Sequence, residues 1–263
     1  MDPIAGIISL ADLVAPAALV FARIGGIFVA APILSGPMVP MQVKALLTLA
    51  ITIAVFPSLA PHMSAGVPGP LYPLVLLQEL GIGLAIGFLF SLFLEAVRFA
   101  GDLLGRTAGF AAAEYFNPDA GTMEGPLGST FYTTMVLVFF AIDGHLELIA
   151  ALARSYAMVP PGAMELGPHF AEAVSTGISR VYEIALTIAL PIEGAILAIV
   201  IAEGVIARAV PQINILQLTF PVKILTTMTL LVIGIPAIIA FMGLILGMAQ
   251  FFTFSFLVAL GGG

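Results

Sequence analysis

Six acidic side chains, Glu79, Glu95, Glu147, Glu183, Glu193 and Glu203, fall within or beside long apolar runs in a chain with only eight lysines and arginines. An ionised carboxylate without a partner costs about 3 kcal/mol or more at membrane depth, so each needs a cation, a wet cavity or a proton. Two kinds of chemistry follow. The acids could relay protons or ions, or they could be neutralised in pairs. Glu95 and Arg98 are three apart and share a helix face. Glu203 and Arg208 are five apart, a poorer match that suits pairing between subunits, and Lys223 is a further cation near an apolar run. The acids are spread over several runs without a periodic stripe, which speaks against a continuous path.

Asp143-Gly144-His145, followed by Glu147, could seed a metal site or a proton relay. Metal sites want three or four ligands in set geometry, and one histidine with one nearby acid falls short of that. The alternative is a helix turn at the membrane surface. His62 and His169 lie in proline-rich loops. Gly101-Asp102 is similar to half of an intramembrane aspartyl motif but has no preceding glycine and no Tyr-Asp partner. There is no HExxH, phosphate-binding loop or nucleophile elbow, and no cysteine for a thiolate. The expectation is a protein that is not an enzyme and carries no metal or cofactor.

The elements that must position these groups are helices in a membrane. Of the 263 residues, 61% are hydrophobic and 9% charged, against roughly 25% charged in soluble domains. The net charge of −7, with few and scattered cations, argues against nucleic acid. The N-terminus is acidic and lacks the basic start of a cleaved signal, so the first apolar block is expected to stay as an anchor. Runs of about 20 apolar residues mark spans. They cover residues 13–34, 43–56, 74–99, 131–152 (interrupted by Asp143-Gly144-His145), 178–205 and 222–260, separated by loops rich in proline and glycine. The fold class expected is all-α and polytopic, with about six kinked apolar helical segments. The last two runs exceed a bilayer core and suggest a long hairpin packed on other proteins, with one helix ending near Ile233 before a separate short one as the alternative. A single domain over 1–263 is expected, with four helices in 1–155 and the hairpin in 175–260.

Small residues punctuate these runs. Gly83/Gly87, Gly101/Gly105/Gly109 and Gly243/Gly247 are spaced by four and let helix backbones approach closely. Gly83, Gly87, Gly101, Gly105, Gly243 and Gly247 are therefore candidates for packing against neighbouring subunits. The stretch 101–128 mixes Phe110, Tyr115 and Phe116 with Glu114, Asp119, Glu124 and the turn former Asn117-Pro118. That composition suits a loop packed on protein. Irregular backbone at membrane depth survives only when buried in protein or lining a wet cavity, so the chain should border a conduit or a subunit interface.

Several of these residues, in order, resemble a known family. Arg23-Ile24-Gly25-Gly26-Ile27-Phe28, Ala31-Pro32, Val39-Pro40 and Val43-Lys44 are similar to the opening of the FliR family of flagellar export-gate membrane proteins. The likeness continues through Ala100-Gly101, Gly109-Phe110, Asn117-Pro118 and Asp143-Gly144-His145. It ends with Arg208, Pro211-Gln212-Ile213-Asn214 and Phe220-Pro221-Val222-Lys223. The injectisome subunits of the SctT group share this layout. The resemblance implies a non-enzymatic subunit of the bacterial inner membrane and flagellar basal body. One copy would assemble with FliP-like and FliQ-like subunits into a portal for unfolded substrates, beside FlhA-like and FlhB-like export proteins. It also implies that the loop at about 106–122 plugs the closed channel, through Arg106, Gly109, Phe110, Tyr115, Phe116, Asn117 and Pro118. Arg106 stands where the family usually has an uncharged residue, and Asn117 where Asp is commoner. The other reading kept open is a stand-alone secondary transporter or ion channel using its buried carboxylates.

Overall fold

A computed structural model describes the backbone of residues 3–31, 40–59, 69–110, 125–164, 168–210 and 215–261. Side chains are described for 13–31, 40–59, 70–110, 125–164, 171–210 and 219–261. The described residues form helices and connecting turns, with no strand among them. In order these are α1 (Pro3–Ala30), α2 (Met41–Leu59), a short 3-10 turn (Gly69–Leu71), α3 (Tyr72–Ala108), α4 (Pro126–Ala141), α5 (Gly144–Met158), α6 (Pro168–Ala209) and α7 (Ile215–Leu260). Five are long and apolar enough to cross a membrane, and the bent pair α4 and α5 makes a sixth candidate. The all-α polytopic expectation holds.

One helix runs well past its expected end, the expected interruption of the fourth run is a bend, and the sixth run decides between its two readings. Helix α3 does not stop at Phe99 but continues to Ala108. Its end is a Schellman motif: Phe110 N–H donates to the Gly105 carbonyl at 2.9 Å and Gly109 N–H to that of Arg106 at 3.2 Å. Gly109 sits at φ +95°, which glycine adopts without the Cβ penalty. The fourth run is two helices bent by 69° at Ile142-Asp143. Asp143 holds φ +58°, and its carbonyl accepts from the N–H groups of Leu146 and Glu147 to start α5. The sixth run is one uninterrupted helix through Pro221 and Pro236, so the alternative ending near Ile233 does not hold. At 1.5 Å per residue, α6 and α7 are about 63 and 69 Å long, roughly twice a hydrocarbon core.

The chain divides into two compact units. The first comprises 1–92, 143–178 and 247–263. In it α2 packs along α1, and α1 lies on α3 at backbone contact. A Cβ on Gly26 would sit 2.5 Å from the Leu80 carbonyl oxygen, and one on Gly87 2.7 Å from that of Ile27. A Cβ on Gly83 would overlap the Arg23 carbonyl. Leu19, Ile24, Ile82, Ile86 and Phe90 fill the buried seam around them.

The second unit comprises 93–142 and 179–246. Here the end of α3, helix α4 and the facing stretches of α6 and α7 pack together. Lys223 approaches Glu203, while Thr187 and Pro191 face Leu230 and Gly234 across a cavity of about 340 Å³. That register makes α6 and α7 an antiparallel hairpin. The serine and threonine hydroxyls of α4 donate to carbonyls one turn back, as Thr130 does to Pro126, which hides them from an apolar surround.

Candidate functional site

The segment singled out in the sequence leaves α3 at Gly109 and returns at Pro126, and the second unit holds both of its ends. A Cβ on Gly101 would lie 2.7 Å from the Leu127 carbonyl oxygen and 2.9 Å from Gly128 Cα, so α3 and the start of α4 meet backbone to backbone. Gly128 faces the Asp102 carboxylate, which a side chain there would overlap. This places a negative charge over the first turn of α4, where the unpaired amides favour it. Gly105 lies against Leu127, whose Cβ would stand 3.7 Å from a methyl placed on that glycine. Arg106 is exposed in the last turn of α3, where a cation complements the helix dipole.

Two further contacts tie this helix end to the hairpin. The Thr107 hydroxyl donates to Glu193 Oε1 at 2.7 Å, shorter than its approaches to the Leu103 and Leu104 carbonyls at 3.1 and 3.2 Å. That length is typical of a hydroxyl bonded to a carboxylate. Gly109 packs under the ring of Phe220, to which a Cβ would come within 2.7 Å. Phe110 is half-buried beside it. Tyr115, Phe116, Asn117 and Pro118 lie outside the described residues.

The first unit holds a site that the sequence did not assemble. Arg23 and Glu79 are both fully buried, and Glu79 takes the guanidinium in a two-pronged grip, with Nε to Oε2 at 2.7 Å and Nη2 to Oε1 at 2.9 Å. Nη1 donates to Ser155 Oγ and Nη2 also to the Val159 carbonyl, each at 2.9 Å. The guanidinium lies 3.8 Å from the centre of the Tyr156 ring. Helices α1, α3 and α5 thus converge on one cation. The signal available in sequence was an arginine and a glutamate in separate apolar runs, each requiring a partner.

Glu95 and Arg98 approach to 3.6 Å, and Arg98 also lies 5.9 Å from the Tyr132 ring. Arg180 pairs with Glu183. Glu203 is 4.0 Å from Lys223 of α7 and does not turn toward Arg208, since five residues along a helix points the two side chains apart; Arg208 is exposed at the end of α6. Gly83, Gly87 and Gly101 are used for packing inside the chain, whereas a Cβ on Gly243 or Gly247 would meet nothing within 4 Å. Asp143-Gly144-His145 forms the hinge between α4 and α5. Among the described residues no group of three or more His, Asp or Glu could hold a metal ion.

Residues 14–260 match the family described as bacterial export proteins, family 1. The chain belongs to this family. It is 30% identical over 219 residues to the flagellar biosynthetic protein FliR of Escherichia coli (strain K12), covering 83% of this chain and 84% of that protein. It is 25% identical to FliR of Bacillus subtilis (strain 168) over 228 residues, 86% of this chain and 88% of that protein. It is 26% identical over 221 residues to the Yop proteins translocation protein T of Yersinia pestis, 82% of this chain and 84% of that protein. The likeness to FliR and to the injectisome subunits read from short motifs is borne out along nearly the whole chain. This is a membrane-embedded component of a flagellar or type III protein export apparatus.

Proposed function

We propose that the chain is a non-enzymatic core subunit of the flagellar export gate in the bacterial inner membrane, acting as one domain over 1–263. It would assemble in one copy with FliP-like and FliQ-like subunits, beside FlhA-like and FlhB-like proteins, into a portal for unfolded flagellar substrates. The loop at about 106–122 would close the resting channel. The family match over 14–260 carries the assignment to export. Support for the loop comes from its base: Gly101 and Gly105 hold the returning end, at Leu127, against α3, and Thr107 and Gly109 secure the outgoing end. A short, pinned base with an aromatic stretch between is a sound way to hold an apolar stopper in a pore.

Four of the six acids give the transporter reading no support. Glu79 is locked by Arg23, Glu95 lies beside Arg98, Glu183 beside Arg180, and Glu193 accepts from Thr107. Deleting residues 110–117 tests the loop. The variant should still copurify with its partner subunits, and cells carrying it should leak small ions at rest. A resting conductance equal to that of the unaltered protein would refute the stopper.

A further inference from the structure

The contacts at the end of α3 join the loop's root to a stretch of the second unit where both hairpin helices carry a proline. Pro191 in α6 has no N–H for the Thr187 carbonyl, and both residues line the cavity of about 340 Å³. Gly234 of α7 lines the opposite side, two residues from Pro236. Backbone hydrogen bonds lost to Pro191 and Pro236, near the same level of the two helices, mark a place where the hairpin can flex. Glu193 is two residues beyond Pro191 and grips Thr107. Phe220 projects from α7 onto Gly109, the residue that ends α3.

We infer that Glu193 and Phe220 are positioning residues that couple the α6–α7 hairpin to the root of the 109–125 loop, so that bending at Pro191 and Gly234 moves the root. The inference rests on the stopper reading and adds what controls it. The geometry is specific to the hydroxyl: Thr107 reaches Glu193 at 2.7 Å in preference to its own helix carbonyls. A methyl in its place keeps the shape and removes the donor.

The test is resting ion leak in cells whose export complex carries T107V, T107S, E193A or E193Q, with copurification of partner subunits measured in parallel. T107V and E193A should raise the leak about tenfold, the loss expected for one hydrogen bond to a charged group. T107S keeps the donor and E193Q an acceptor oxygen, so both should stay near the unaltered level. A leak unchanged in T107V and E193A, with the 110–117 deletion still leaky, would overturn the coupling and leave the stopper standing. No leak even in the deletion would remove both. Loss of assembly in T107V and E193A alike would assign the contact to folding and overturn the coupling.

Discussion

Replacing Arg23 or Glu79 one at a time, and then together, is the most demanding test of the first unit. Both groups are fully buried, so R23M leaves an ionised carboxylate with no cation, and E79L leaves a guanidinium with only Ser155 Oγ and the Val159 carbonyl to accept from it. Breaking one side of a buried pair costs about 3–5 kcal/mol. The double variant R23M/E79L removes both charges while keeping apolar volume. Ser155 Oγ still donates to the Leu152 carbonyl, so the main loss is the Val159 carbonyl, about 1–3 kcal/mol. The two single costs therefore sum to well above the double, with a coupling of about 3 kcal/mol or more. R23K should behave like a broken pair: an ammonium cannot match the two-pronged grip on Glu79 or the flat stack on Tyr156.

The assay is the folded fraction of the purified protein against sodium dodecyl sulfate in mixed micelles, with membrane abundance as a cellular counterpart. Single variants should unfold at clearly lower denaturant and accumulate several-fold less. The double should recover most of the lost stability. Single costs below about 1 kcal/mol that simply add in the double would refute the reasoning, because a buried, satisfied pair cannot be additive.

Other outcomes follow from single glycines and one strained residue. Gly83→Ala drives a methyl into the Arg23 carbonyl and should cost at least about 2 kcal/mol, whereas Gly243→Ala and Gly247→Ala meet nothing and should be neutral or up to about 1 kcal/mol stabilising in the isolated chain. If the Gly243 face meets a sister subunit, that same alanine should lower copurification with partners while leaving denaturation of the isolated chain unchanged. Asp143→Gly relieves φ +58° and should stabilise by about 1 kcal/mol in the same titration, while Asp143→Val should destabilise by about that much.

Hydropathy made the number and type of elements legible, because a run of about 20 apolar residues has few other uses. It was a poor guide to ends. The apolar run ends at Phe99, but the backbone hydrogen bonding of α3 continues to Gly109, the glycine that can turn left-handed. Gly109, with Arg106 in the turn before it, was the signal for that stop. Pairings between distant positions were legible only as demands. Glu79 and Arg23 each required a partner, yet nothing local joins residues 56 apart. Glu203 met Lys223 because the hairpin register sets them opposite, a pairing that sequence spacing, with Arg208 five residues on and a poor match, did not offer.

The glycines show how one pattern serves two ends. Gly83/Gly87 and Gly243/Gly247 have the same spacing and would be read alike from sequence. The first pair is consumed by α1, with backbone atoms where side chains would stand; around the second, a Cβ would find no atom within 4 Å. Helix α7 adds a constraint of its own. At about 69 Å it is too long for a hydrocarbon core of about 30 Å even when tilted, and Leu225, Val232, Ile233, Leu244 and Phe251 are exposed along it. Lipid can cover only part of that surface, so an apolar helix of this length requires protein along the remainder. An export subunit assembled among other membrane chains meets that requirement, and a carrier working alone in the bilayer does not.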